Sequence, residues 1–178
     1  TTRLGDDGYF EETECDRDDW SSQLTVGWSH GLLDVQRWSE PARAWCQVLA
    51  RELQMPEEGA RAVLFVTDEP HGRPKHYDER QVFVVQLAGA KRWCLAPNPD
   101  VSKPRHGYHT PAAPHPELLA AGQPHVDLVW PEGLVSPEGP QVEVLLQPGD
   151  VLYCPRGWWH RTRAVGRSIS LSVGLEHR

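Results

Sequence analysis

The chain predicts an all-β fold, a barrel or sandwich with an N-terminal helical segment, on three observations. Apolar, β-branched segments of roughly five to eight residues recur with turn residues between them. Only one substantial stretch has helical spacing. The 178 residues show no repeat and no linker-like run, and this length suits one domain that buries a core without disulfides. The expectation is a single domain over residues 1–178, with an N-terminal cover over about 1–58, a barrel over about 61–174 and an insertion over about 97–140.

Residues 1–20 are acidic and polar, with Asp6, Asp7, Glu11, Glu12, Glu14, Asp16, Asp18 and Asp19, and read as an irregular arm. Residues 20–28 (WSSQLTVGW) read as a short extended segment or the border of a helix. Ser39-Glu40-Pro41 is a helix start, serine as N-cap and proline in the first turn. Trp45, Val48, Leu49 and Leu53 follow at helical spacing, which predicts a helix over about 41–55 laying that stripe, Trp45 included, on the sheet. Strands are expected over 61–67, 81–88 and 91–95, the last two joined by a Gly89-Ala90 turn, and again over 142–147 and 151–154. Pro148-Gly149-Asp150 supplies the last turn, proline at its first central position and glycine at its second. Between Pro97 and Pro140 lie many prolines, His106, His109, His115 and His125, and a short helix over 116–121 stopped by Gly122. Long insertions of this kind are usually functional or mobile, and this one reads either as a substrate-facing cover or as a merely structural insertion.

His76-Tyr77-Asp78 is the tripeptide of greatest chemical interest. On an extended backbone residues two apart point to the same face, so His76 and Asp78 can share one ion while Tyr77 points away. A histidine and a carboxylate at this spacing arise easily by chance in a chain with nine histidines. The second stretch, Pro155-Arg156-Gly157-Trp158-Trp159-His160, gives the pair its meaning. His76, Asp78 and His160 together make a two-histidine, one-carboxylate set, which occupies one face of a six-coordinate metal as in non-haem Fe(II) oxygenases. His71, in a Gly/Pro loop, is expected to be exposed.

HYDERQVFVVQLAGAKRW, then LQPGDVLYCPRGWWHRTRA and SISLSVG, resemble the JmjC-type cupin oxygenases, in particular the ribosomal-oxygenase (cupin-4) branch that hydroxylates proteins. The resemblance covers roughly residues 61–174. It implies a double-stranded β-helix (jelly roll, cupin), Fe(II) held by His76, Asp78 and His160, and 2-oxoglutarate as co-substrate. It also implies that Lys91 pairs with the distal carboxylate of 2-oxoglutarate, with Ser172, or alternatively Ser170, beside it. Where related enzymes use a tyrosine, this chain offers only Phe65, a departure that bears on the co-substrate pocket. The implied activity is a 2-oxoglutarate-dependent dioxygenase, a hydroxylase of a protein or peptide side chain. The alternatives are a hydroxylase of a small molecule in specialised metabolism and a metal-binding cupin without oxygen chemistry.

With 25 acids against 18 bases the formal charge is −7, which argues against general nucleic-acid or anionic-membrane binding. Arg156, Arg161, Arg163 and Arg167 around His160 are a local exception, either a solvated edge or a substrate contact. Cys15, Cys46, Cys94 and Cys154 are scattered without a C-x-x-C pair, which speaks against structural zinc and fits reduced thiols in a cytoplasmic protein. No apolar run is long enough to span a bilayer, and no signal segment opens the chain. Oligomeric state is left open.

Overall fold

Two long bent strands, β6 (Gln81–Ala96) and β10 (Trp159–Leu175), run antiparallel and carry the architecture. The computed structural model describes residues 2–4, 10–12, 29–73, 75–99, 103–105, 107–109 and 141–176. Most of the acidic arm and of the insertion, residues 20–28 and the expected helix over 116–121 lie outside the described residues.

The remaining strands are β1 (Thr2–Leu4), β2 (Phe10–Glu12), β3 (Ser29–Leu32), β4 (Ala60–Thr67), β5 (His76–Tyr77), β7 (Tyr108–His109), β8 (Val142–Leu146) and β9 (Val151–Cys154). They run in the order β2-β1-β3-β4-β10-β5-β7, while β6 pairs with β10, β8 and β9. All these pairings are antiparallel. The result is the all-β jelly-roll arrangement with one N-terminal helix.

The expected turn at Gly89-Ala90 is a bend inside one continuous strand. Gly89 and Gly166 adopt φ of 62° and 66°, and the β6–β10 register slips between Val165 and Ile169. A bulge of this kind bends a strand without ending it. The fully buried Gln86 side chain holds the bend, its amide donating to the carbonyl of Ala88 at 2.8 Å and to Ser168 Oγ at 2.9 Å.

Alternation along β10 then divides two environments. Leu171, Val173 and Leu175 face a core shared with Ala60, Ala62 and the helix α1 (Glu40–Glu52), while Ser170, Ser172 and Gly174 face an inner cavity. Ser39 caps α1 as expected, accepting from the Ala42 amide. The buried stripe is not the expected one. Ala42, Cys46 and Ala50 are buried, whereas Trp45, Val48 and Leu53 are 37–44% exposed. Residues spaced by four share one face of a helix, and here the small side chains occupy that face and let the helix lie close to β4. Of the expected stripe, Leu49 still packs against this core.

Candidate functional site

The two candidate ligand stretches meet because β5 pairs with β10 so that His76 is directly opposite His160. Their rings are 4.0 Å apart between centroids. Asp78 follows β5, and its backbone carbonyl accepts a hydrogen bond from Gly157, tying the first stretch to the turn before His160. Gly157 has φ of 79°, so this turn uses the freedom of glycine. Donor atoms of His76, Asp78 and His160 all lie within 4.8 Å of one another, and His160 Nε2 is 3.6 Å from Asp78 Oδ2.

The chemistry of this set fits a divalent transition metal. His160 Nδ1 lies 3.0 Å from the carbonyl of Trp158; with a proton on Nδ1 donated to that carbonyl, Nε2 presents its lone pair toward Asp78. Burial lowers the pKa of His160, against a smaller raising effect of Asp78, which favours the neutral ring that binds metal. Trp93 stacks on the same imidazole at 5.6 Å.

Beside the triad is a cavity of about 180 Å³. Lys91, Ser170, Ser172 and Phe65 all line it. Lys91 is 3% exposed and donates to Ser170 Oγ at 3.0 Å and to Thr67 Oγ1 at 3.5 Å. Burial, and then the neighbouring Arg73, lower its pKa from 10.5 to about 8. Among the described residues no carboxylate pairs with Lys91, and a buried charge without a counter-charge is costly. The cavity therefore suits an anionic ligand at its Lys91 end and a metal at its His160 end, which is the fit a chelating dicarboxylate requires. Of the two serines, Ser170 is the one in contact with Lys91, while Ser172 lines the wall.

Sequence reasoning missed Arg73. Its guanidinium lies 5.5 Å from the Phe65 ring centroid and lines the cavity. Burial lowers its pKa to about 10, with Asp78 opposing, so it stays charged at neutral pH. A single arginine in a Gly/Pro loop offers no periodicity to read. Trp93 was more accessible to reasoning, since it shares a face with Lys91 by simple alternation. Of the four arginines near His160, Arg156 bonds the carbonyl of Pro104 and Arg167 pairs with Asp68, so only Arg161 and Arg163 face outward unpaired among the described residues. His71 is exposed, as expected.

The family profile described as JmjC domain matches residues 47–178. The chain belongs to the JmjC-domain family. Among curated relatives, YxbC of Bacillus subtilis is 30% identical over 134 residues, covering 74% of this chain and 38% of that protein. Ribosomal protein uL16 3-hydroxylase of Escherichia coli is 28% identical over 151 residues, 84% of this chain and 34% of the enzyme. A solved structure of YcfD, a ribosomal oxygenase from Escherichia coli, in complex with cobalt and 2-oxoglutarate superposes with a TM-score of 0.59 at 20% identity over 99% of this chain and 39% of the other. At that identity the likeness concerns the jelly-roll fold. This JmjC chain spans less than two-fifths of the length of these curated relatives. No helix among its described residues is long and apolar enough to cross a membrane.

Proposed function

We propose that this chain is an Fe(II)- and 2-oxoglutarate-dependent hydroxylase domain acting on a protein or peptide side chain. The observation that carries the reading is the buried ammonium of Lys91, held by hydroxyls and facing the same cavity as His76, Asp78 and His160. The relatives named ribosomal protein uL16 3-hydroxylase and ribosomal oxygenase 1 favour a protein substrate.

His76, Asp78 and His160 would hold Fe(II), and Lys91 with Ser170 would hold the far carboxylate of 2-oxoglutarate. Bound there, the metal and 2-oxoglutarate would supply the chemistry by which dioxygen is reduced: one of its oxygen atoms hydroxylates a C–H bond of the substrate, and the other enters the succinate formed as 2-oxoglutarate loses carbon dioxide. The chain's own residues bind and orient. The Trp158 carbonyl fixes the His160 tautomer, Trp93 fixes its ring plane, and apolar walls from Phe65, Val63 and Val82 limit water in the cavity. A small-molecule substrate and a redox-neutral cupin are the outcomes that would replace this reading.

Succinate release from 2-oxoglutarate in the presence of Fe(II), with and without ribosomal-protein peptides, is the test. Turnover stimulated by a peptide that gains the mass of one oxygen supports the proposal. Absence of 2-oxoglutarate binding by the metal-loaded parent would leave a metal-binding cupin.

A further inference from the structure

On the outer face of the sheet lies a second groove, about 710 Å³, lined among others by His71, Arg73, Arg92, Arg161, Arg163 and Glu143. Alternation sets Arg161 and Arg163 on the face of β10 opposite His160 and Thr162, and Arg92 on the face of β6 opposite Lys91 and Trp93. Arg163 and Arg92 are direct cross-strand partners. Like charges directly opposite in an antiparallel pair destabilise it. Among the described residues, Arg92, Arg161 and Arg163 are exposed and form no ion pair. Glu143 lies across from Cys94, the partner of Arg161 on the next strand, and pairs with none of them. This clustering runs against a chain that carries 25 acids and 18 bases.

An anion bridging the opposed guanidinium groups removes their repulsion, and the planar fork of arginine matches a carboxylate in bidentate fashion. We propose that this groove is a docking surface for an acidic polypeptide segment, whose Asp or Glu side chains bridge Arg92 and Arg163 and engage Arg161. Among the described residues the groove presents no phenylalanine, tyrosine or tryptophan on which a nucleic-acid base could stack, and His71 is the ring that lines it. The net charge of −7 opposes a long polyanion. Arg73 and Thr162 line both this groove and the inner cavity, so a segment docked here lies alongside the proposed active site. The docking does not rest on the hydroxylase reading.

Fluorescence anisotropy tests it with a labelled peptide of alternating glutamate and glycine, beside its lysine-glycine counterpart and an oligouridine of equal charge. The parent should bind the acidic peptide and lose affinity as salt rises, because exposed charges are screened beyond a Debye length of about 8 Å at physiological ionic strength. The triple variant R92E/R161E/R163E should lose at least about tenfold in affinity, since one charge-assisted contact contributes about 1.5–3 kcal/mol. Arg163→Gln alone should lose a smaller factor, and this milder change keeps the test decisive if the triple variant is poorly folded by circular dichroism. Equal binding by the variants, no binding by the parent, or tighter binding of oligouridine than of the acidic peptide would each overturn the proposal. Neither metal nor 2-oxoglutarate enters this titration, so its failure and that of the turnover assay are distinguishable.

Discussion

Lys91 Nζ lies 3.0 Å from Ser170 Oγ, a contact between β6 and β10 inside the cavity. Thr67 of β4 adds a third strand to the contact at 3.5 Å. The ammonium is therefore placed by three strands but neutralised by none of them. A rigid cation so held would give a carboxylate a fixed partner in the same cavity that His76, Asp78 and His160 line.

Replacing Lys91 by alanine should weaken 2-oxoglutarate binding roughly 10- to 100-fold, the loss of one hydrogen bond to a charged group. Cobalt(II) affinity should be nearly unchanged, and Lys91→Arg should retain part of the co-substrate affinity. The pH dependence has a definite sign. Because the ammonium titrates at about 8, binding should weaken as pH rises through that value in the parent and stay level in Lys91→Arg. Anaerobic calorimetric titration measures both effects. An unchanged affinity in Lys91→Ala removes the anion-binding role.

The two serines should separate. Ser170→Ala removes the hydroxyl bonded to Lys91 and should cost 2-oxoglutarate affinity by roughly 2- to 10-fold, as expected for about 0.5–1.5 kcal/mol. Ser172→Ala, which alters the cavity wall without touching the ammonium, should cost less. A larger loss in Ser172→Ala would place the carboxylate nearer Ser172 than the Lys91–Ser170 contact.

How far the sequence carried the site depends on which residues chemistry marks. His76-Tyr77-Asp78 was legible because the i, i+2 spacing fixes a common face on any strand, and His160 because it follows a strong turn. Lys91 was singled out only through the family resemblance, since position alone reads as a solvated lysine beside a turn. Arg73 was not, since its place depends on how the loop over 71–73 lies against β10, a contact 89 residues distant for the Arg73 amide and Thr162 Oγ1. The helix face was misread for a different reason. Helix α1 carries two apolar stripes, and spacing alone cannot tell that the small one, Ala42-Cys46-Ala50, approaches the sheet.

That loop contact makes Gly72 a strong test of how the ligand stretch is placed. A Cβ at Gly72 would lie 1.9 Å from the carbonyl oxygen of Thr162, and the obstacle is backbone that cannot swing aside. Gly72→Ala should destabilise the protein by on the order of 3 kcal/mol and weaken cobalt(II) binding, because the displaced loop leads directly into His76. Thermal denaturation with and without cobalt(II) measures both. A variant as stable as the parent would show that the 71–73 segment is free to move off β10.

The buried ammonium proposed to bind an anion should cost the ligand-free protein stability. In the unfolded chain Lys91 titrates near 10.5 and in the folded protein near 8, so between these values the unfolded state binds more protons and stability rises with pH. Below about 8 the penalty is fully present, and the displacement corresponds to roughly 3 kcal/mol. Lys91→Met keeps most of the stem volume and removes the charge, so near neutral pH it should unfold at higher urea concentration than the parent. The gain should fall below that bound, because Ser170 and Thr67 lose a donor, and it should shrink as pH rises from 8 toward 10. With cobalt(II) present throughout, adding 2-oxoglutarate should stabilise the parent through binding linkage and stabilise the variant much less. If Lys91→Met is less stable than the parent at neutral pH, the ammonium has a counter-charge in solution and the cavity is not built around an unmet cation.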